Sequence, residues 1–147
     1  MNRSIRLERV YPVGPERVFR ALTDRDALSA WLMPNDFVPE LGRSFTFRSK
    51  PQGSWDGVTH CTITELDPPR RLAYSWSGQR KDGTGPALAR TVVTWTLVPE
   101  GSGTRLVLEH TGFEGWGEVV VSLMMQMGWW SKLRAKLPLH FGAALAA

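Results

Sequence analysis

The sequence predicts an α+β domain in which a curved antiparallel β-sheet wraps around a long C-terminal helix, with two short helices after the first strand. Three observations predict this fold. Apolar and polar residues alternate over several short segments separated by Gly, Pro and Asp. Helix-start residues follow the first such segment. The last third of the chain holds a long apolar helical pattern. Its 147 residues suit one domain, 1–147.

The first strand and the two short helices are predicted from local patterns. Alternation of apolar and charged residues over 4–11 is typical of a half-buried strand. A first helix begins at Pro15, because proline is favoured at the first helical position. Thr23 followed by Asp26 resembles a capping box, which predicts a second helix that runs to about Trp31 and ends before Pro34.

Five further segments alternate in the same way and predict a run of antiparallel strands. Turn-forming residues separate them, including Asp67-Pro68-Pro69, a Gly- and Pro-rich loop over 78–86, and Gly101-Ser102-Gly103. The last segment places His110 on the same face as two leucines, which is the inward face. The segments are centred on Phe45 and Phe47, 58–66, 72–76, 93–97 and 106–110.

The long helix is predicted to open within 112–117 and to end near Pro138. Acidic residues at its start and basic residues at its end complement the helix dipole. Its apolar residues recur at steps of three or four, so we expect one face to pack on the sheet. That face comprises Val120, Leu123, Met127, Trp130 and Leu137, widened by Met124, Met125, Trp129 and Leu133.

Composition limits the classes of function. Eighteen Lys and Arg against fourteen Asp and Glu give a formal charge of +4, but the basic residues are scattered among acids, so we expect no nucleic-acid partner. Cys61 is the only cysteine, which excludes an intrachain disulfide and fits a reducing compartment. We expect a cytoplasmic protein, since no apolar run approaches the roughly 20 residues that span a bilayer.

No catalytic motif stands out. The three histidines fall on different predicted elements, so no metal is expected, and neither nucleophile nor phosphate-binding motifs occur. The sequence therefore predicts no cofactor and no enzymatic activity. His110 is either a core histidine satisfied by hydrogen bonds or a group that orients a ligand or transfers a proton. Burial among leucines should favour its neutral form.

The excess of tryptophan and the methionines of the long helix predict the site. Rigid aromatic walls on the strands that face flexible methionines on the helix would either fill the core or line a cavity that adapts to an apolar guest. We predict binding of a small apolar or aromatic molecule in a cavity between the sheet and the helix. The residues predicted to line it are Trp31, Phe45, Phe47, Tyr74, Trp76, Trp95, His110, Met124, Met127 and Trp130.

The order of elements resembles the START-like helix-grip superfamily, also called SRPBCC. Segments along nearly the whole chain are similar to bacterial homologues of the C-terminal domain of the heat-shock protein 90 ATPase activator. They include 9–13, 15–24, Trp31-Leu32-Met33-Pro34, 65–72, Val93-Thr94-Trp95, 103–106, His110-Thr111-Gly112-Phe113 and Gly128-Trp129.

This resemblance implies the helix-grip fold and a deep cavity, used elsewhere in the superfamily for lipids, sterols, polyketides or hormones. It carries over no catalytic residue. Two alternatives stay open: a polyketide cyclase or aromatase in which His110 or Tyr74 supplies a proton, and a chaperone-interaction module. The chaperone partner has little support, because no partner-docking segment is recognisable. A homodimer is compatible with the sequence.

Overall fold

Six strands form one antiparallel sheet in the computed structural model, which describes residues 2–84 and 88–146. In chain order the strands are β1 (Asn2–Tyr11), β2 (Ser44–Arg48), β3 (Val58–Asp67), β4 (Arg71–Gly78), β5 (Leu88–Glu100) and β6 (Gly103–Glu114). Across the sheet their order is β1-β6-β5-β4-β3-β2, so the first strand pairs with the last. The predicted antiparallel α+β fold is confirmed. Part of the loop predicted at 78–86 lies outside the described residues.

Two short helices connect β1 to β2, as the sequence predicts. They are α1 (Pro15–Thr23) and α2 (Arg25–Trp31). The predicted capping box is wrong by one residue: the carboxylate of Asp24 accepts a hydrogen bond from the backbone N–H of Ala27 at 2.9 Å. The hydroxyl of Thr23 instead donates back to a carbonyl of α1. Aspartate is among the strongest N-cap residues, which explains why the structure uses Asp24.

The C-terminal helical segment is longer than predicted. It comprises α3 (Gly115–Ser131), a π-helical turn (Lys132–Lys136) and α4 (Leu137–Ala146). The expected end near Pro138 is therefore wrong. In a π-helical turn the carbonyl of residue i pairs with the N–H of residue i+5. The carbonyl of Leu133 would need the N–H that proline lacks, and it accepts a hydrogen bond from the Tyr11 hydroxyl at 2.7 Å instead.

The core lies between the inner face of the sheet and the helices. Alternate residues of every strand point inward, and the central strands β4, β5 and β6 contribute Leu72, Trp95 and Leu108 at 1% exposure or less. Neighbouring strands are in register there, with Leu72 opposite Trp95 and Trp95 opposite Leu108. The strand pattern read from the sequence therefore identifies the buried face correctly.

The helix α3 packs on the sheet through one edge of the predicted apolar face, since Trp129, Leu133 and Leu137 are buried as expected whereas its other members are not. Ser122 and Trp129 are buried, and Leu133 and Leu137 continue the same line through the π-helical turn. Met127, predicted to face the sheet, lies on the outside. The helix is apolar on both sides, so the spacing of apolar residues alone does not distinguish its inner face.

Candidate functional site

Seven of the ten residues predicted to line the cavity are buried on the inner side of the sheet. Their rings contact one another with mostly edge-to-face geometry, for example Trp31 with Trp95 at a centroid distance of 6.2 Å and Phe45 with Tyr74 at 5.2 Å. The seven are Trp31, Phe45, Phe47, Tyr74, Trp76, Trp95 and His110. The aromatic wall expected from the strands is thus present, although binding of a ligand by these residues stays a prediction.

The three residues predicted on the helix side do not join this wall. Met124 and Met127 are 64% and 75% exposed, and Trp130 is 38% exposed. The guanidinium carbon of Arg9 lies 5.6 Å from the Trp130 ring centroid, a cation–π contact at the edge of α3. The expectation that these three side chains face the sheet is wrong, because α3 turns its other side inward.

Trp129 occupies the position that the sequence assigned to the methionines. Its ring centroid lies 5.5 Å from that of Trp76 and 5.5 Å from that of Trp95. The volume predicted as a cavity is therefore occupied by the protein's own indole. A signal for this face was present in the sequence, since Ser122, Trp129 and Leu133 are spaced by seven and four residues. Because Ser122 is small and polar, the search for apolar residues at helical spacing did not include it in this face.

A one-way chain of hydrogen bonds fixes the tautomer of His110. The Trp129 indole Nε1–H can only donate, and it donates to His110 Nδ1 at 3.1 Å. The neutral imidazole must then carry its proton on Nε2, which donates to Thr91 Oγ1 at 2.7 Å. The Thr91 hydroxyl in turn donates to the carbonyl of Trp76 at 3.2 Å. Each polar side-chain atom in this series of hydrogen bonds therefore has a partner, although aromatic rings surround it.

Burial keeps His110 neutral. Removing the imidazolium from water lowers the pKa of His110 to about 3, well below its usual 6.5. The ring is fully enclosed and lies 4.7 Å from the Phe113 ring centroid and 5.3 Å from that of Trp76. The inward orientation and the neutral form expected from the sequence are both found. At neutral pH this histidine offers one acceptor, Nδ1, and one donor, Nε2–H.

Tyr74 belongs to a neighbouring part of the aromatic wall and does not bond to His110. Its hydroxyl oxygen accepts a hydrogen bond from Trp95 Nε1–H at 3.0 Å. Complete burial raises the pKa of Tyr74 far above its usual 10, so the phenol stays protonated. Burial likewise raises the pKa of the Cys61 thiol. Neither group is activated as a nucleophile or as a base.

Two open depressions lie elsewhere on the surface. One of about 300 Å³ lies on the outer face of β2, β3 and β4 and contains Asp36, His60 and several hydroxyl groups. The other, of about 370 Å³, lies between the two short helices and α4, beside Arg17 and His140. Phe45 is the one predicted site residue that lines the first depression, and neither depression is lined by Trp129 or His110.

Within residues 2–84 and 88–146, no three His, Cys, Asp or Glu side chains come close enough together to hold a metal ion. In the same part of the chain, no helix has the length and the apolar character needed to cross a membrane.

Comparison with known proteins assigns the family. The family model described as "Activator of Hsp90 ATPase homolog 1-like protein" matches residues 12–141, which is most of the chain. The chain belongs to this family. The resemblance seen in the sequence is thereby confirmed, and with it the helix-grip fold. No curated protein matches the chain.

Solved structures share the fold over almost the full length. Protein MLL2253 from Mesorhizobium loti is 31% identical, with 96% of this chain and 98% of that chain covered and a TM-score of 0.81. The AHSA1 protein from Silicibacter pomeroyi is 25% identical, with 99% and 100% covered and a TM-score of 0.73. The Aha1 dimer from Colwellia psychrerythraea is 18% identical, with 95% and 98% covered and a TM-score of 0.75, so this likeness concerns the fold alone.

Proposed function

We propose that this protein binds a small aromatic molecule carrying a hydrogen-bond donor between the sheet and α3, in the place that Trp129 occupies, without transforming it chemically. The observation that carries the proposal is the bond from Trp129 Nε1–H to His110 Nδ1 at 3.1 Å. This directed polar contact joins α3 to the sheet inside a space lined mainly by aromatic rings. A few convergent polar groups in an apolar setting are typical of small-molecule sites.

The first support is the small number of α3 residues that are buried against the sheet. Only Ser122 and Trp129 of its 17 residues are buried. Loss of a buried tryptophan side chain costs about 3–5 kcal/mol, which is at or below the low end of the roughly 5–15 kcal/mol of global unfolding. Segments with few buried contacts open locally at a free energy well below that of global unfolding. A guest that binds the opened form would then shift the population toward it.

The second support is the chemistry that opening would expose. Withdrawal of Trp129 leaves the lone pair of His110 Nδ1 without its donor, while the Trp76 and Trp95 rings remain as walls. An unpaired buried acceptor costs about 1–3 kcal/mol. A guest with an O–H or N–H removes that cost, whereas a carbonyl or ether oxygen at the same place does not. The site should therefore prefer phenols and indoles over their methylated forms.

Binding without catalysis is proposed because no group in the site is poised for proton transfer near neutral pH. The pKa of His110 is held at about 3, and burial keeps the Tyr74 phenol protonated. A general acid or base works best with a pKa near the operating pH. The alternative of a polyketide cyclase or aromatase requires a proton from one of these two side chains, so it has less support.

Matched titrations test the proposal. We expect wild-type protein to bind 1-naphthol about tenfold more tightly than 1-methoxynaphthalene in calorimetry, since about 1.4 kcal/mol corresponds to a factor of ten. His110→Phe should bind both compounds alike, because it keeps the shape and removes the acceptor. His60→Phe, at an exposed histidine on the outer face of β3, should keep the wild-type preference. Equal affinities in the wild type, or a preference retained in His110→Phe, would contradict the proposal.

We also propose that the protein forms a homodimer. The Aha1 protein of Colwellia psychrerythraea is described as a dimer, and α3 of the present chain has an apolar outer side that a second copy could cover. This proposal is independent of the ligand. It makes a chaperone partner unnecessary to explain the exposed apolar side chains.

A further inference from the structure

Two side-chain hydrogen bonds join α3 to the sheet within the described residues. One is the bond from Trp129 to His110. In the other, the guanidinium of Arg3 on β1 donates from Nη2 to the side-chain oxygen of Gln126. Gln126 precedes Trp129 by three residues, and side chains at this spacing are neighbours on a helix surface. The two contacts therefore lie side by side where α3 meets the sheet.

Arg3 lies on the inner face of the sheet, on its edge strand. It is paired with Phe113 in the register of β1 and β6. Directly opposed residues of an antiparallel pair point to the same side of a sheet, and Phe113 is fully buried. The Phe113 ring is also the one that lies 4.7 Å from the His110 ring. Arg3 therefore places a cation beside the aromatic space that contains His110.

The guanidinium of Arg3 is incompletely paired. Its Nε–H is buried and has no hydrogen-bond partner among the described residues. In the same part of the chain, none of the ion pairs includes Arg3. The carboxylate of Glu118, in the first turn of α3, accepts a hydrogen bond from the backbone N–H of Glu114 instead. A partly buried cation without a carboxylate partner is costly, so this arrangement favours the uptake of an anion.

The unpaired N–H group has the geometry that a carboxylate requires. The Nε–H and the Nη–H on the same edge of a guanidinium can donate to the two oxygens of one carboxylate. In the structure Gln126 supplies one neutral oxygen, to Nη2, and leaves Nε–H without a partner. Gln126 thus occupies the place of an anion, as Trp129 occupies the place of a donor. Movement of α3 away from the sheet would release both positions together.

We propose that Arg3 binds a carboxylate of the guest, so that the ligand is an aromatic acid with a hydrogen-bond donor at its far end. This inference rests on the proposed function, which places the donor at His110 Nδ1. Ile5, the β1 residue opposite His110, is two positions from Arg3. A strand rises about 3.3 Å per residue, so Arg3 is offset by roughly 7 Å along β1 from the level of His110. The two polar groups of the ligand should therefore lie at opposite ends of a fused ring system.

The thermal stability of Arg3→Met tests the incomplete pairing in the free protein. An apolar side chain of similar length avoids the cost of a partly buried, unpaired cation and keeps the packing of the aliphatic stem. Arg3→Met should therefore melt at the temperature of the wild type or above it. A clear fall in the melting temperature would show that the free protein already satisfies Arg3, and it would contradict the proposal.

Calorimetry with naphthalene derivatives tests the carboxylate contact. We expect wild-type protein to bind 6-hydroxy-2-naphthoate about tenfold more tightly than its methyl ester, because only the acid can form a charge-assisted pair with Arg3. The isomer 3-hydroxy-2-naphthoate should bind more weakly than the 6-hydroxy acid, since its adjacent groups cannot reach both sites. Arg3→Gln should bind 6-hydroxy-2-naphthoate and its ester alike. Arg3→Lys keeps the charge and should retain part of the preference.

Arg6→Gln is the matched control, because Arg6 belongs to the same strand and its replacement changes the net charge equally. Arg6 is exposed and pairs with Glu8, so this variant should keep the tenfold preference for the acid. Inorganic phosphate at equal concentration should not compete with 6-hydroxy-2-naphthoate. Competition by phosphate would show that Arg3 binds anions without an aromatic part, and it would overturn the assignment of an aromatic acid.

The acid and the hydroxyl group give separate results for the two proposals. Equal affinity of the wild type for 6-hydroxy-2-naphthoate and its ester, or a preference that survives in Arg3→Gln, would overturn the role of Arg3 alone. A preference for 1-naphthol over 1-methoxynaphthalene would then still support the site at His110. His110→Phe should keep the preference for the acid over the ester, because it leaves Arg3 unchanged. Absence of binding by all of these compounds would overturn both proposals.

Discussion

His110 is a buried titratable residue whose protonation state is set by its neighbours. Trp129 can only donate to Nδ1, so the proton resides on Nε2 and passes its hydrogen bond to Thr91. A charged imidazolium would need to leave this arrangement, because Nδ1–H would face the indole N–H. Burial and the fixed direction of the bonds therefore oppose protonation together.

The free energy of unfolding should consequently depend on pH through His110. The pKa is about 3 in the folded protein and about 6.5 in the unfolded chain, so between these values the unfolded state binds the extra proton. Stability is then lost as the pH falls below about 6.5. At pH 5 the loss from this residue amounts to about 2 kcal/mol relative to pH 7.

Urea denaturation of three proteins at pH 5 and pH 7 measures this effect. Wild type and His60→Phe should both lose the additional 2 kcal/mol on going to pH 5. His110→Phe should lack that part of the pH dependence. The same slope in His110→Phe as in the wild type would assign the effect to other groups.

The inward position of His110 was predictable from the sequence, because alternation along β6 specifies which residues face the core. Its neutral form followed from the expected burial among leucines. The sequence did not predict the tautomer. That depends on Trp129, which lies 19 residues further along the chain and meets His110 only when α3 packs on the sheet. The preference of the proposed site for guests that donate a hydrogen bond therefore depends on the tertiary contact between α3 and the sheet.

Among the elements, the C-terminal helical segment is held by an unusual contact with β1. The Tyr11 hydroxyl donates to the carbonyl of Leu133, the one group in the π-helical turn whose i+5 partner is a proline. The Tyr11 ring also packs edge-on against Phe141 of α4, with a centroid distance of 5.5 Å. β1 thereby anchors both the turn and the helix that follows it.

Tyr11→Phe should lower the free energy of unfolding by about 1–2 kcal/mol, because a buried carbonyl loses its donor while the ring packing is kept. Pro138→Ala restores an N–H at the position that the turn requires. In the Tyr11→Phe background it should therefore recover part of the loss. Thermal and urea unfolding of the double-mutant cycle measure the coupling. Strict additivity of the two substitutions would show that they do not share the Leu133 carbonyl.

The strands were predictable and the packing of the long helix was not, for a physical reason. In a strand with one buried face, every second residue belongs to that face, as at Leu106, Leu108 and His110. The helix α3 is apolar on both sides, so Met127 and Trp129 satisfy the same sequence criterion. If a second copy covers the outer side, both faces are selected to be apolar, and the ambiguity follows from the assembly.

For the whole molecule, the aromatic interior connects the fold to the proposed function. Four of the seven tryptophans are buried between the sheet and the helices, namely Trp31, Trp76, Trp95 and Trp129. The first three lie on, or pack against, the well-anchored sheet, whereas Trp129 belongs to a helix with little other buried surface. Under the proposed function, a guest would replace Trp129 while the other three indoles stay in place.

The most direct test of this exchange follows the indole N–H signals of the protein by NMR during titration with 1-naphthol. The Trp129 signal, assigned by its loss in Trp129→Phe, should shift and exchange faster with water as its bond to His110 is replaced. The N–H signals of Trp31 and Trp95, bonded to the Ala21 carbonyl and the Tyr74 hydroxyl, should keep their protection. A Trp129 signal that stays unchanged at saturating 1-naphthol would contradict binding at this site.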